Sequence, residues 1–238
     1  MQRLANKIAL VTGASKGIGK AIAVAFGREG AHVVVTARTQ SVLHALAQQL
    51  TEIGVEALAV PADLAIASDI QRIAEEALAR FGRIDILVNN AAIIHPSRDL
   101  VEFEARLWRQ VIEVNLTAAA LLTKAVLASM IAQRSGKILN ISSRGGRKGG
   151  KGRSAYRVTK AGLISLTESV AAEVQLYGIR VNCICPGGVD TEGYREAFGS
   201  RGSRTLMRPE EIAEVAVFLA SEASSAINGA TIDAFGET

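Results

Sequence analysis

The feature that most limits how this chain can fold is a regular alternation of short apolar runs with longer segments of helical period, sustained from residue 7 to about residue 233. Residues 7–12 (KIALVT) form a strand-length apolar run cut off by Gly13. Residues 17–29 then carry Ile18, Ile22 and Phe26 four apart, the spacing of one helix face. The same reading predicts strands over 31–36, 55–60, 84–89, 137–141, 180–184 and about 230–233. Helices fall over 40–53, 68–81, about 102–133, 154–177 and 209–221, the last with Pro209 at its first position, where its missing N–H does no harm. Parallel neighbours need long crossovers, so strands alternating with helices of this length imply βαβ units. The expectation is one α/β domain over 1–238, a doubly wound seven-stranded parallel sheet with helices on both faces. Two segments break the pattern, the Gly- and Arg-rich 144–153 and the aperiodic 192–206. Both follow strands, at the carboxyl edge where such sheets bind ligands.

Composition agrees with a packed domain. Of 238 residues, 49% are apolar and 21% charged, which excludes disorder, while aromatics at 4% leave the core to Ala, Val, Ile and Leu. No uninterrupted apolar run approaches the roughly 18 residues of a membrane helix, and the run after Arg3 and Lys7 is too short for a signal-peptide core. A cytoplasmic protein away from membranes is expected. Cys183 and Cys185 would share one face of a strand, a poor geometry for pairing, and read as core residues. His32 and His44 read as structural or solvent-facing. His95 follows the fourth strand near the cleft, where contact with substrate competes with a structural role. No residue spacing suggests a metal site.

The loop Thr12-Gly13-Ala14-Ser15-Lys16-Gly17-Ile18-Gly19 joins a strand to a helix. Glycines there let the backbone approach a phosphate group, and the helix N-terminus offers unpaired N–H groups and partial positive charge. Its spacing is not G-x-G-x-x-G, and alone it is weak. With Asn89-Asn90-Ala91, Asn115, Ser143, Tyr156-x-x-x-Lys160 and Pro186-Gly187-Gly188-Val189-Asp190-Thr191, the chain resembles the short-chain dehydrogenase/reductase family, whose Rossmann-like fold and nicotinamide cofactor it would share. These motifs span residues 12–191 in the family's order, Ser143 preceding Tyr156 by the family's 13 positions.

On a helix, Tyr156 and Lys160 share a face. An ammonium near a phenol lowers its pKa from about 10, so Tyr156 can act as general acid in carbonyl reduction or as base in alcohol oxidation. Ser143 would hydrogen-bond the substrate oxygen. The resemblance implies that Lys160 also holds the nicotinamide ribose and that Asn115 binds a relay water through its helix backbone. It implies as well that Gly13, Ser15, Lys16, Gly17, Ile18 and Gly19 cradle the diphosphate, that Asp63 and Leu64 border adenine, and that Asn90 and Ala91 lie along the cofactor. Pro186, Gly187, Val189 and Thr191 would flank the nicotinamide. For Asp63, capping the next helix is a rival role. Where NAD-binding relatives place an acidic residue after strand two, this chain has Arg38, which suits a 2′-phosphate and, with Lys16, indicates NADP(H). Ala92 stands where the family usually has Gly, and the end, Asp233-Ala234-Phe235-Gly236-Glu237-Thr238, departs from the usual Asp-Gly-Gly, which bears on subunit packing.

Six basic residues and no acidic one lie within 144–157, and without them the chain would have 21 basic against 23 acidic residues instead of a net +4. The segment is either a solvated, extended loop or an attractor of an anionic substrate. The chain is most similar to the 3-oxoacyl carrier-protein reductase branch, which implies a 3-oxoacyl group on an acidic carrier protein or coenzyme A. Arg134 matches a basic position near that branch's carrier-docking face, with Tyr177 at the companion position. The alternatives are a reductase of small ketones, sugars or polyols and, outside catalysis, an NADP-binding regulator. Nucleic acid is not expected, because the basic run lacks interleaved aromatics. A homotetramer or homodimer through the helices over 102–133 and 154–177 follows from the resemblance, and 192–206 would be a short substrate loop.

Overall fold

A computed structural model describes residues 2–199 and 206–237. Seven strands form: β1 (Ile8–Thr12), β2 (His32–Ala37), β3 (Ala57–Pro61), β4 (Ile86–Asn89), β5 (Gly136–Ile141), β6 (Ile179–Pro186) and β7 (Thr231–Ala234). They make one sheet in the order β3-β2-β1-β4-β5-β6-β7, parallel at every pairing. The main helices are α1 (Gly17–Arg28), α2 (Gln40–Glu52), α3 (Ala67–Phe81), α4 (Ala105–Ile112), α5 (Ala118–Gln133), α7 (Ser154–Val174) and α9 (Pro209–Ala220). Two short ones, α6 (Arg144–Arg147) and α8 (Glu192–Phe198), lie in the segments where periodicity fails. The rest of the expected substrate loop, 200–205, lies outside the described residues.

The apolar runs are unbroken because the sheet is covered on both sides. Successive residues of β1 enter different cores: Ala9 and Val11 pack with Phe26 of α1, Leu50 of α2 and Val217 of α9, whereas Leu10 packs with Ile73 of α3, Val126 of α5 and Val170 of α7. Full burial of Phe26 alone contributes about 2 kcal/mol. Cys183 and Cys185 are buried and unpaired, as the strand spacing predicts.

The long helical region differs from its expected form. It starts at Ala105, and a π-helical turn over Glu113–Thr117 separates α4 from α5. Taken together, Ala105–Gln133 is long and apolar enough over 18 residues to cross a membrane by length and composition, which corrects the count of uninterrupted runs. Its Leu122, Val126 and Met130 are buried against the sheet, α3 and α7, the position of a core helix. The helix predicted to 177 ends at Val174 and continues as a 3-10 turn, Gln175–Tyr177.

The chain returns from β3, at one edge, to β4 beside β1 in the middle. Loops leaving β1 and β4 there diverge to opposite faces and open a crevice at the strands' carboxyl ends.

Candidate active site

One half of the crevice is the glycine loop after β1. Gly13 and Gly17 take φ of +64° and +56°, a region closed to most side chains. A Cβ on Gly13 would meet Ala91 Cα at 2.8 Å, and one on Gly19 would meet both Asn90 Nδ2 and Gly13 O at 2.4 Å. Asn90 is the reason for that closeness: its Nδ2 donates to Thr12 O (2.9 Å) and Gly13 O (3.2 Å), while Thr12 Oγ1 accepts from the N–H groups of Asn90 and Ala91. The loop is therefore pinned open as a backbone cradle. No side chain caps α1, so its first-turn N–H groups are available to an anion, and Ser15 and Ile18 flank them. Ala92 is exposed with no positive φ, which explains how an alanine is tolerated there.

The residues expected to reach the rest of a dinucleotide follow the carboxyl ends of β2, β3 and β6. Arg38 is exposed just beyond β2, and no described residue pairs with it. Lys16 forms an ion pair with Glu196 of α8 (2.9 Å), a partner the sequence did not suggest. The Asp63 carboxylate accepts from Ala65 N (3.0 Å) in a turn leading into α3, and its own N–H donates to Asp69 Oδ2 (2.8 Å). Asp63 thus shapes the approach to α3 while Ile66 occupies the cap position, and Leu64 beside it is nearly buried. Pro186 ends β6, Gly187 N donates to Ala234 O, and Val189 bridges to Met207. Thr191 caps α8, its Oγ1 accepting from Tyr194 N (3.1 Å), and its methyl would lie 3.1 Å from a Cβ on Gly17. A backbone cradle that any Cβ would fill, with Thr191 across from it, fits a dinucleotide diphosphate and nicotinamide.

The other half is α7 and the loops packed on its start. Ser143 lies just past β5 and caps α6, Oγ accepting from Gly145 N (3.0 Å); the same hydroxyl is hydrogen-bonded to the partly buried Tyr156 hydroxyl. Lys160, one turn on, is buried and its Nζ donates to Ile141 O (2.6 Å), 5.7 Å from the centre of the Tyr156 ring. The expectation that the ammonium lowers the phenol pKa is corrected here. Burial pushes Tyr156 up, and the opposing pulls come from the Ser143 hydrogen bond and then from Arg153 and Arg157. Burial also lowers Lys160, to about 8, which leaves it mostly charged at neutral pH.

Asn115 sits in the π-helical turn, where the i→i+4 ladder opens. Its amide is fully engaged: Oδ1 accepts from Ile93 N (2.7 Å), and Nδ2 donates to Ile93 O (3.1 Å) and Thr159 Oγ1 (3.3 Å). The side chain thus ties the loop after β4 to the residue before Lys160. Ser142, which no motif marks, donates to Lys160 O (2.7 Å), and a Cβ on Gly146 would strike both. His95 has a structural role in the described contacts. It is buried, its Nδ1 faces Pro96 O (2.7 Å), and its Nε2 accepts the Tyr156 backbone N–H (3.3 Å).

The basic segment is not a loose loop. Arg147 pairs with Asp233 (2.8 Å), Lys151 with Asp99 (3.3 Å), and Arg144 lies over the Phe235 ring, so the unusual C-terminus packs on it. Arg153 is buried, its guanidinium donating to His95 O and Ala197 O and lying 4.1 Å from the Phe198 ring centre. Ser143, Tyr156, Ile18, Pro186 and Thr191 border a cavity of about 320 Å³. A larger groove of about 500 Å³ between α1 and α9 contains none of these groups but Gly17, so the smaller one is the candidate site. Among the described residues, no cluster of three or more His, Cys, Asp or Glu side chains converges on one point.

Residues 7–201 match the family model described as short chain dehydrogenase. The chain is 38% identical to a 3-oxoacyl-[acyl-carrier-protein] reductase of Synechocystis sp., over 99% of this chain and 98% of the relative. It is also 38% identical to the cis-4-hydroxycyclohexanecarboxylate dehydrogenase of Sinomonas cyclohexanicum, over 97% and 96%. Among solved structures it superposes on levodione reductase with a TM-score of 0.90 at 30% identity, covering 97% of this chain and 96% of that one.

Proposed function

Because the chain belongs to the short chain dehydrogenase family, we propose that it is an NADP(H)-dependent oxidoreductase, formed by the whole chain as one domain, that reduces a carbonyl to a secondary alcohol. The carrying observation is the Tyr156 hydroxyl, hydrogen-bonded to Ser143 at the wall of a cavity that the glycine cradle also borders. The nicotinamide, when bound, supplies the hydride. Tyr156 then gives its proton to the carbonyl oxygen, which Ser143 holds in place. Its raised pKa keeps the phenol protonated before reaction, the state a general acid needs. Lys160 and Asn115 fix the helix and loop around it and would serve the proton relay. Arg38 supports NADPH over NADH. The pair between Lys16 and Glu196 is exposed and worth at most about 1 kcal/mol, so Lys16 can exchange Glu196 for a phosphate.

The relatives named as carrier-protein reductases put a 3-oxoacyl group on an acidic carrier or coenzyme A first among substrates. One observation favours small carbonyl compounds instead. Arg147 and Lys151 pair with Asp233 and Asp99, Arg144, Arg153 and Arg157 border the cavity, and Arg134 holds Leu176 O at the opposite edge of the sheet from Tyr156. Exposed Leu121, Val158 and Leu176 support a homo-oligomer. The test is NADPH oxidation with carrier-linked and free 3-oxoacyl compounds beside ketones and sugars, run with Tyr156→Phe. The variant should lose roughly a hundred- to ten-thousandfold in kcat while binding NADPH within a few-fold of the parent. A Tyr156→Phe enzyme with unchanged kcat would remove Tyr156 as the acid.

A further inference from the structure

We infer that the cavity beside Tyr156 contains an anion subsite centred on Arg157, and that the substrate is a small oxo acid whose own carboxylate lies a few bonds from the carbonyl being reduced. This rests on the carbonyl-reductase reading of the same site. The described residues lining the cavity include Arg144, Arg153 and Arg157 and no Asp or Glu. Three guanidinium groups around about 320 Å³ make a strongly positive field beside Tyr156.

Arg157 is the group whose bonding is incomplete. Its Nη1 donates to Lys148 O (2.8 Å), but its Nε is buried with no hydrogen-bond partner. A buried donor left unmade costs about 1–3 kcal/mol, more when charged, so an acceptor arriving with the substrate would be held tightly. The glycines of the segment are fitted to this side chain. A Cβ on Gly150 would sit 2.5 Å from Arg157 Nη2, and one on Gly145 would lie 3.6 Å from both Arg157 Cγ and Tyr156 Cε1. Arg153 adds a charge fixed to the cavity wall by two carbonyls and the Phe198 ring, so little order need be imposed when an anion binds.

The size of the cavity chooses the anion. Arg157 and Tyr156 line the same space of about 320 Å³ and both approach Gly145, so the group Arg157 grips must be close to the reacting carbonyl. A carboxylate of a small oxo acid satisfies this and matches the guanidinium fork. The phosphate of a pantetheine arm lies the whole arm's length from its thioester, a simple ketone brings no second acceptor, and a sugar hydroxyl would accept from Nε without answering its charge.

The experiment compares kcat/KM, at saturating NADPH, for acetoacetate against methyl acetoacetate and for 4-oxopentanoate against methyl 4-oxopentanoate. The acid of at least one pair should be preferred by about ten- to a hundredfold. Arg157→Gln should bring that ratio close to one through KM for the acid, with KM for NADPH unmoved, and Arg157→Lys should fall between. Lys148→Gln, which alters an exposed charge on the same segment, should keep the ratio. Equal use of acid and ester by the parent, a ratio that survives Arg157→Gln, or an effect confined to NADPH would each overturn the subsite while leaving carbonyl reduction intact. Should nothing be reduced, calorimetric titration with 4-oxopentanoate decides separately: binding that Arg157→Gln abolishes upholds the subsite and refutes the reaction, and no binding refutes the subsite.

Discussion

Replacing His95 tests how the helix that carries Tyr156 and Lys160 is started. The cap position of α7 is Arg153, a side chain with no hydrogen-bond acceptor, so the first-turn N–H groups need another partner. His95 supplies one from a different loop: Nε2 accepts the Tyr156 N–H, Nδ1–H donates to Pro96 O, and the ring meets Phe103 edge-on at 4.7 Å. Losing a cap costs about 1 kcal/mol, the second hydrogen bond about 1 and the aromatic edge about 1, so His95→Leu should destabilise by about 3 kcal/mol.

The same geometry requires a neutral ring, since Nε2 must accept while Nδ1 donates. Burial lowers the His95 pKa below its ordinary 6.5, and the nearby Arg153 charge acts in the same direction. Between that lowered value and 6.5 the unfolded chain binds more protons than the folded one, so stability falls as pH is lowered through this window. Urea denaturation from pH 8 to pH 5 reads it directly. The parent should lose stability below about 6.5 more steeply than His95→Gln, which carries no titrating ring. Parallel pH curves for the two, or a His95→Leu cost below about 0.5 kcal/mol, would refute the capping argument.

Two further substitutions probe the cofactor half. Arg38→Asp should lower kcat/KM for NADPH by at least about tenfold and not that for NADH, because the exposed guanidinium is replaced by a charge that repels a 2′-phosphate; an equal effect on both cofactors would assign Arg38 elsewhere. Gly19→Ala should cost about 2 kcal/mol in thermal or urea unfolding and weaken NADPH binding measured by fluorescence, since its Cβ would press on Asn90 Nδ2 and Gly13 O at 2.4 Å. Wild-type NADPH affinity in that variant would show that the cradle does not depend on the close approach.

The strands were legible because a parallel sheet buried on both faces writes continuous apolar runs, as in residues 8–11 and 33–35. Tyr156 and Lys160 were legible as a pair through helical spacing, but not the direction of Lys160, which depends on Ile141 O across the α7–β5 contact. The π-helical turn around Asn115 leaves no mark in hydrophobic period, being one extra residue within an apolar helix. The fate of the basic segment was hidden for a related reason: its partners, Asp233, Asp99, His95 and Ala197, are brought to it by β7, the loop after β4 and α8. Net charge counts arginines but does not say which way they face. Tyr156 shows the same limit for chemistry, since spacing gave it a cation while only packing reveals the burial that outweighs it.

The two halves of the site are joined by the stretch after β4, which carries little recognised chemistry beyond Asn90. Asn90 pins the glycine cradle through Thr12 and Gly13. Three residues on, the backbone of Ile93 is clamped at both its N–H and its C=O by Asn115. His95 then caps α7, and Arg98 N donates to Gly152 O (2.8 Å) just before Arg153. Residues 90–98 therefore touch the glycine loop after β1, the middle of the long helix and the start of α7 in turn. That reach is a product of topology, because β4 stands between β1 and β5, where the order of strands reverses. The separation between the glycine loop and Tyr156 is set by this shared stretch rather than by either motif, so a change of length there would shift one against the other even with every motif residue intact.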